Sequence, residues 1–313
     1  MAGTQERIGE QIPTPTLEMG TKHRSLRADV WRQFRRHKGA MVGLVLLIVI
    51  SFASFIGPMI WGADAFRTDT ANASLSPSLA HPMGTDNLGR DVMARVLVGG
   101  RISLLVGITA MFVGVSLGTT MGILAGFFRR LDTPLMRLTD LFLSLPILPL
   151  LLVVIMLFRE SLTSSLGPEM GIFVLVVGII GATSWMTTAR VVRGQVLSVK
   201  EEEFVHAANS IGTRRLNIVM RHILPNVLSP VIVAAALGVA IAIITESALS
   251  FLGLGFPSSF PTWGRLLFDA KDHLQLSPMR VVWPGLMISL TVISVNFIGD
   301  GLRDALDPRL RSR

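Results

Sequence analysis

Six long apolar runs, separated by polar intervals, divide this chain of 313 residues. A run of about 20 apolar residues crosses the hydrocarbon layer as a helix, and in lipid a helix is the one single segment that satisfies its own backbone. The pattern therefore predicts an all-α membrane protein with about six transmembrane helices. The expected spans are 40–61, 102–127, a third from after Pro134 to about Phe158, then 171–191, 227–251 and 281–298. The first is too long for a signal-peptide core and lacks a small-residue cleavage site, so it reads as a retained span. Half of the residues are apolar, 16% are charged and the mean hydropathy is +0.57, which agrees.

The intervals give the organisation. Residues 1–30 are polar, carry the Pro-Thr stretch from Ile12, and are expected to form a disordered cytoplasmic terminus. Residues 31–61 hold an interfacial helix, WRQFRRHK with Trp31 and Phe34 three apart, and the first span. Residues 62–100 form an external loop, 101–302 a five-span core with a cytoplasmic loop at 193–226, and 303–313 a cytoplasmic tail. With both ends inside, 21 Lys and Arg residues fall in the cytoplasm and eight outside, as the positive-inside rule requires. The pI of 11.2 does not imply nucleic acid, because the basic residues flank apolar spans with no aromatic-rich basic groove. There is no cysteine, and the six histidines lack ligand spacing, so no metal site is expected.

The interval 201–226, EEEFVHAANSIGTRRLNIVMRHILPN, has structure of its own. Phe204, Ala207, Ala208 and Ile211 fall at i, i+3, i+4 and i+7, which puts one small apolar stripe on a short helix. Gly212 stops that helix, Thr213 is placed to cap a second, and Leu216, Val219 and Ile223 repeat until Pro225 ends it. Arg214, Arg215 and Arg221 keep the unit out of the hydrocarbon. The result is helix, glycine corner, helix: a docking surface, or an amphipathic loop resting on headgroups.

Three features of the spans bear on packing or on polar chemistry within the membrane. Gly114, Gly118, Gly122 and Gly126 recur every four residues and bare one helix face, read first as a packing seam and second as pore lining. Pro146 and Pro149 are expected to kink the third span, as a gate-lining helix or a purely structural bend. Glu246 is a carboxylate at membrane depth, a candidate for the path unless it reaches the interface. In the external loop Asp64, Asp69, Asp86 and Asp91 balance Arg67, Arg90, Arg95 and Arg101 without calcium-loop spacing, so a loop held by Asp-Arg pairs is expected.

The Ala-Ala, three residues, Gly, eleven residues, Leu-Pro spacing resembles the EAA loop of the membrane subunits of ATP-binding-cassette importers. GTDNLGRD with GGRISL, ESALSFLGLG, and the tail GDGLRDALDPRLRSR are similar to the dipeptide, oligopeptide and nickel branch, and to its C-type permease subunit. His206 stands where Glu is usual, and His222 where Ile is usual. The resemblance implies a type I importer permease fold with a cytoplasmic coupling helix. It implies that Phe204, His206, Ala207, Ala208, Ile211, Gly212, Arg214 and Arg215 meet an ATPase, while Pro146, Pro149 and Glu246 are path candidates on their own chemistry. The partners it implies are a second homologous permease subunit, two ATP-binding-cassette ATPase subunits, an extracytoplasmic substrate-binding protein and the lipid bilayer, with no nucleic acid.

None of the four lysines, Lys22, Lys38, Lys200 and Lys271, follows a phosphate-binding glycine loop, so the chain itself carries no Walker A. No Ser-His-Asp set or HExxH occurs, and Glu246 and Asp140 are unpaired in sequence. A non-catalytic permease is expected, with no cofactor of its own and with ATP and Mg in the partners. Peptides are the expected cargo. Nickel, glutathione and oligosaccharides remain alternatives within the family; outside it stand an ion-driven secondary transporter, which should show an inverted repeat, and a membrane receptor or scaffold without transport.

Overall fold

The computed structural model describes residues 26–306; the polar terminus before Leu26 and the tail beyond Leu306, for which disorder and a cytoplasmic position are expected, lie outside them. Among the described residues all regular structure is helical, apart from one isolated bridge between Thr85 and Asp91. Six helices are long and apolar enough to cross a membrane: Lys38–Phe55, Val92–Phe127, Ile147–Leu166, Pro168–Val199, Arg215–Phe251 and Met279–Leu306.

The basic stretch around Trp31 forms α1, Leu26–Arg36. Trp31 stacks on Phe34 at 5.9 Å between ring centroids, and Phe34 is buried. The first span is shorter than its sequence suggests. Helix α2, Lys38–Phe55, begins on a His37 cap, with Nδ1 accepting from the Ala40 N–H at 2.9 Å. It stops before Gly57-Pro58, and the five-residue α3, Gly57–Trp61, follows as a separate turn. The Pro58 ring cannot continue the ladder, so a uniform apolar run becomes two helices.

Helix α4, Val92–Phe127, forms the centre, capped by Asp91, whose carboxylate accepts from the Ala94 N–H at 2.7 Å. After it comes the main departure from the expected pattern. The link after the second expected span, together with the start of the third, is an amphipathic helix of its own, α5, Arg129–Ser144, containing Pro134. Pro146 and Pro149 do not kink a span. Pro146 caps the next helix, α6, Ile147–Leu166, and Pro149 sits in its first turn, where a missing N–H leaves no bond unmade. The third span is α6 alone.

Helix α7, Pro168–Val199, runs the length of α4, and the glycine seam explains the closeness of the two. A Cβ on Gly118 would lie 2.6 Å from both the Trp185 carbonyl oxygen and the Thr188 Cβ. At Gly122 the Ala189 oxygen would be 2.7 Å away, and at Gly126 the Val196 Cβ would be 2.7 Å away. From the other side, Gly181 of α7 would meet Val113 at 2.7 Å. The stripe is a packing seam.

After α7 come α8, Glu203–Ser210, and α9, Arg215–Ile218. Pro225 does not end the second helix of this loop. The chain passes through a π turn, Val219–Ile223, in which the Leu224 N–H reaches back to the Val219 oxygen, and continues as α10, Leu224–Phe251. A widened turn is a common way to lead a helix past a residue that cannot donate. Helix α10 packs between α4 and the last helix, α12, Met279–Leu306. Helix α12 also lies along α2, where a Cβ on Gly43 would sit 2.6 Å from the Ser294 oxygen. Between α10 and α12 the chain inserts α11, Trp263–Ala270, started by a Thr262 cap that accepts from the Arg265 N–H at 3.1 Å.

Candidate functional site

The loop between α7 and α10 folds as helix, corner, helix. The corner is Gly212, with φ +75°, a left-handed conformation that strains any residue carrying a Cβ. Open space surrounds the position a Cβ would take, so backbone conformation alone selects glycine there. Thr213 does not cap the second helix: Arg214 occupies that position and offers no side-chain hydrogen bond.

The apolar stripe divides into two faces. Phe204 and Ala207 are exposed and Ile211 is 82% exposed, and together they form an unpartnered apolar surface beside Leu216, 70% exposed. Ala208 belongs to the other face, which corrects its assignment to the docking surface. It is 6% exposed, and with Val205, at 1%, it joins a cluster containing Ile123 of α4, Val192 and Val196 of α7, and Ile218, Ile223, Val227 and Val231. The sequence stripe did not single out Val205, whose i, i+3 spacing to Ala208 was the available signal. The short helix thus has one face fastened to the ends of three spans and one face free.

The polar residues of the loop surround that free face. His206 is exposed, with Nε2 3.7 Å from Glu201 Oε2, so a carboxylate does stand beside the position where the family pattern has Glu. His222 lies against Phe204, ring centroids 6.0 Å apart, and shields part of that ring. Arg214 and Arg215 are exposed. Arg193 of α7 donates Nε and Nη2 to Asp132 of α5 at 2.5 and 2.7 Å, and Arg190 pairs with Asp140. The Arg193 hydrogen bonds hold the Asp132 carboxyl below its usual value. Helix α5 is thereby tied to the end of α7 that leads into the loop.

The path candidates are not brought together. Pro146 and Pro149 are exposed at the α5–α6 junction. Glu246 is fully buried inside the chain, 0% exposed. Ser250 Oγ donates to its Oε1 at 2.8 Å and Ser103 Oγ to its Oε2 at 3.2 Å, while Ser103 Oγ also accepts the Trp263 N–H at 3.2 Å. Burying a carboxyl is costly unless it is hydrogen-bonded, and hydroxyls from two spans satisfy this one. Trp263, also 0% exposed, donates Nε1 to the Val96 oxygen at 3.0 Å. Glu246 therefore fastens α11 between α4 and α10. A hollow of about 1210 Å³ instead opens at the loop's end of the bundle between α1, α7, α10 and α12, and its polar lining includes Gln195, Asn226, Ser229 and Arg303.

At the opposite end, the segment preceding α4 is held by Asp-Arg pairs, as its composition suggests. Asp86 accepts from the Leu88 and Arg90 N–H groups at 2.8 and 2.9 Å, from Arg90 Nε at 2.7 Å and from Arg95 Nη1 at 2.8 Å. Arg95 also reaches Asp269 of α11 at 3.3 Å, and Arg265 Nε reaches it at 2.9 Å. Burial works against ionisation of Asp86, but the Arg90 N–H, the Arg90 charge and guanidinium bond, and the Leu88 N–H outweigh it and hold the carboxyl below the usual aspartate range. Asp64 and Asp69 take no part, turning instead to the Phe66 N–H and the Asn72 side chain.

Comparison with known proteins fits this architecture. Residues 118–312 match the family described as binding-protein-dependent transport system inner membrane component, and residues 25–78 match the N-terminal TM domain of oligopeptide transport permease C. The chain is 39% identical to the oligopeptide transport system permease protein OppC of Haemophilus influenzae, over 96% of this chain and 94% of that one. It is 40% identical to OppC of Salmonella typhimurium, over 96% and 97%, and 37% identical to the dipeptide transport system permease protein DppC of Alkalihalophilus pseudofirmus, over 91% and 90%. A chain of the MetNI methionine ABC transporter, solved in inward-facing conformations, superposes with a TM-score of 0.54 at 16% identity, covering 69% of this chain and 98% of that one, a likeness of fold. With six membrane-spanning helices and a family match over more than half its length, the chain belongs to the inner membrane components of binding-protein-dependent transport systems.

Proposed function

We propose that this chain is one half of the translocation path of a peptide importer and transmits ATP-driven motion to that path through the loop around α8. The observation that carries the reading is the two-faced α8. Phe204, Ala207 and Ile211 offer a free apolar surface, while Val205 and Ala208 on the opposite side are packed into the ends of α4, α7 and α10. A push on the free face reaches three spans through a packed core, which transmits strain because interiors are dense. The relatives named for oligopeptide and dipeptide transport, identical at 37 to 40% over nearly the whole chain, favour peptides over nickel, glutathione or oligosaccharides.

In this reading two ATPase subunits bind ATP and Mg, and one of them receives α8 in a groove whose acidic groups face Arg214 and Arg215. A second homologous permease completes the path across the hollow beside α7 and α10, and a substrate-binding protein delivers peptide at the end carrying α11. Both termini and the α8 loop are cytoplasmic, supported by the excess of Lys and Arg on that side. ATP shifts the equilibrium between two packings of the helices only insofar as the ATPase engages α8 more strongly in one of them.

The test is uptake into proteoliposomes containing the co-purified assembly. Peptide should enter only with internal ATP and external binding protein, and excess nickel, glutathione or oligosaccharide should not compete. Uptake by this chain alone on an ion gradient would overturn the importer reading; competition by one of the other solutes would overturn the peptide assignment.

A further inference from the structure

The clamp of aspartates and arginines at the end of the bundle opposite α8 is unbalanced. Four guanidinium groups, Arg90, Arg95, Arg265 and Arg280, surround two carboxylates, Asp86 and Asp269. The nearby Asp91 is committed elsewhere, to Trp61 Nε1 at 3.3 Å, His81 Nδ1 at 2.7 Å and the Ala94 N–H. Arg90, Arg95 and Arg265 each have a carboxylate partner, but Arg280 makes no ion pair or side-chain hydrogen bond among the described residues. It is nevertheless 7% exposed, and its Nη2 is sealed from solvent without an acceptor. A guanidinium does not escape this by losing its proton, so a buried one requires a partner.

Arg280 lines a cavity of about 20 Å³ together with Asp86, Asn87, Arg95, Asp269 and the apolar Val92, Val96, Leu266 and Pro284. One water-sized particle needs about 10–15 Å³. The space is therefore on the scale of a single small particle. A neutral water would accept from Nη2 but would leave the Arg280 charge without a counter-charge in contact.

We propose that this cavity binds one small monovalent anion, a halide of which chloride is the abundant biological form, seated on Nη2 of Arg280. The anion supplies the acceptor that Arg280 lacks and reduces the excess charge of the clamp. Because Arg95 lies in α4 and Arg280 at the start of α12, an anion against their guanidinium groups would draw these two helices together at this end of the bundle. The inference does not depend on the proposed cargo or on the ATPase contact.

The experiment uses the chain in its detergent-extracted native assembly, dialysed into gluconate at constant ionic strength. Binding of radiolabelled chloride is measured for the wild type and for Arg280→Met, which removes the charge but keeps the apolar bulk. One saturable chloride per chain is expected, displaced by bromide and not by sulfate. Arg280→Met should weaken it about 10-fold or more, as expected for loss of a charge-assisted hydrogen bond. No saturable chloride in the wild type would mean a water-filled cavity and overturn the proposal, as would unchanged affinity in Arg280→Met. Should that variant fail to fold, anomalous diffraction from wild-type crystals grown in bromide decides: a peak within hydrogen-bond reach of Arg280 supports the site, and its absence refutes it.

Discussion

The α4–α7 seam gives a prediction whose size follows from the geometry. In Gly118→Ala the new methyl group would lie 2.6 Å from the Trp185 carbonyl oxygen, and in Gly122→Ala 2.7 Å from the Ala189 oxygen. These neighbours are backbone atoms in the middle of a long helix, so they cannot turn aside; α7 must move away as a unit. Such overpacking costs about 1–3 kcal/mol, even though alanine is the better helix former by about 1 kcal/mol. The double variant should lose less than the sum of the two, because once the helices have parted for one methyl group the second finds room. Gly285→Ala in α12 is the control, since its nearest contact would be Leu267 at an ordinary 3.9 Å. The assay is thermal unfolding of the detergent-extracted assembly at fixed protein and lipid, compared with the level of each variant in membranes. Lower midpoints for both seam variants, with an unchanged or raised midpoint for Gly285→Ala, are expected. Seam variants as stable as the wild type would refute the claim that close backbone approach holds α4 to α7.

Two further predictions concern the ends of the bundle. Gly212→Val should leave the assembly intact but uncouple it, with ATPase activity persisting while uptake per ATP falls, because the left-handed corner at φ +75° costs a residue with a Cβ about 1–2 kcal/mol and shifts α8 relative to α9; equal coupling in both proteins would count against the corner. Asp86, whose folded pKa is depressed, contributes stability that is fully present above the unfolded aspartate value near ~4 and is lost as pH falls through the lower folded value. Limited proteolysis of residues 62–91 should therefore accelerate on acidification below about pH 4, and Asp86→Asn should show the acid-state rate already at neutral pH; a pH-independent rate in the wild type would contradict this.

Hydropathy makes the spans legible because each buries its apolar surface in lipid regardless of its neighbours. It does not show where a span begins. Helix α5 merges with α6 in sequence because Leu138, Leu141 and Leu143 continue the apolar run, and only the chain's path reveals that Pro146 separates two helices. The Gly212 corner and the glycine seam were readable, since each depends on the absence of a side chain at a fixed spacing. Which half of the α8 stripe faces its own chain was signalled only by the Val205–Ala208 spacing: Ala207 and Ala208 are adjacent and chemically identical, and Ala208 is the one that joins Val192 and Val196 of α7 in a buried cluster. The partner of Glu246 was not readable, because Ser103, the α4 hydroxyl that bonds it, is 143 positions away. Asp269 likewise joins the Asp-Arg clamp from 174 positions beyond Arg95.

The central claim is that the free face of α8 receives the ATPase. Ala207→Trp blocks that face, where the wild-type residue is exposed, without touching the packed side occupied by Val205 and Ala208. The measurement is mild extraction of the tagged chain from native membranes, with the co-purifying subunits identified and counted. Wild type should bring an ATPase, a second permease and binding protein, and Ala207→Trp should retain the second permease while losing the ATPase. Full recovery of the ATPase with Ala207→Trp, or recovery of the wild-type chain alone, would contradict the account.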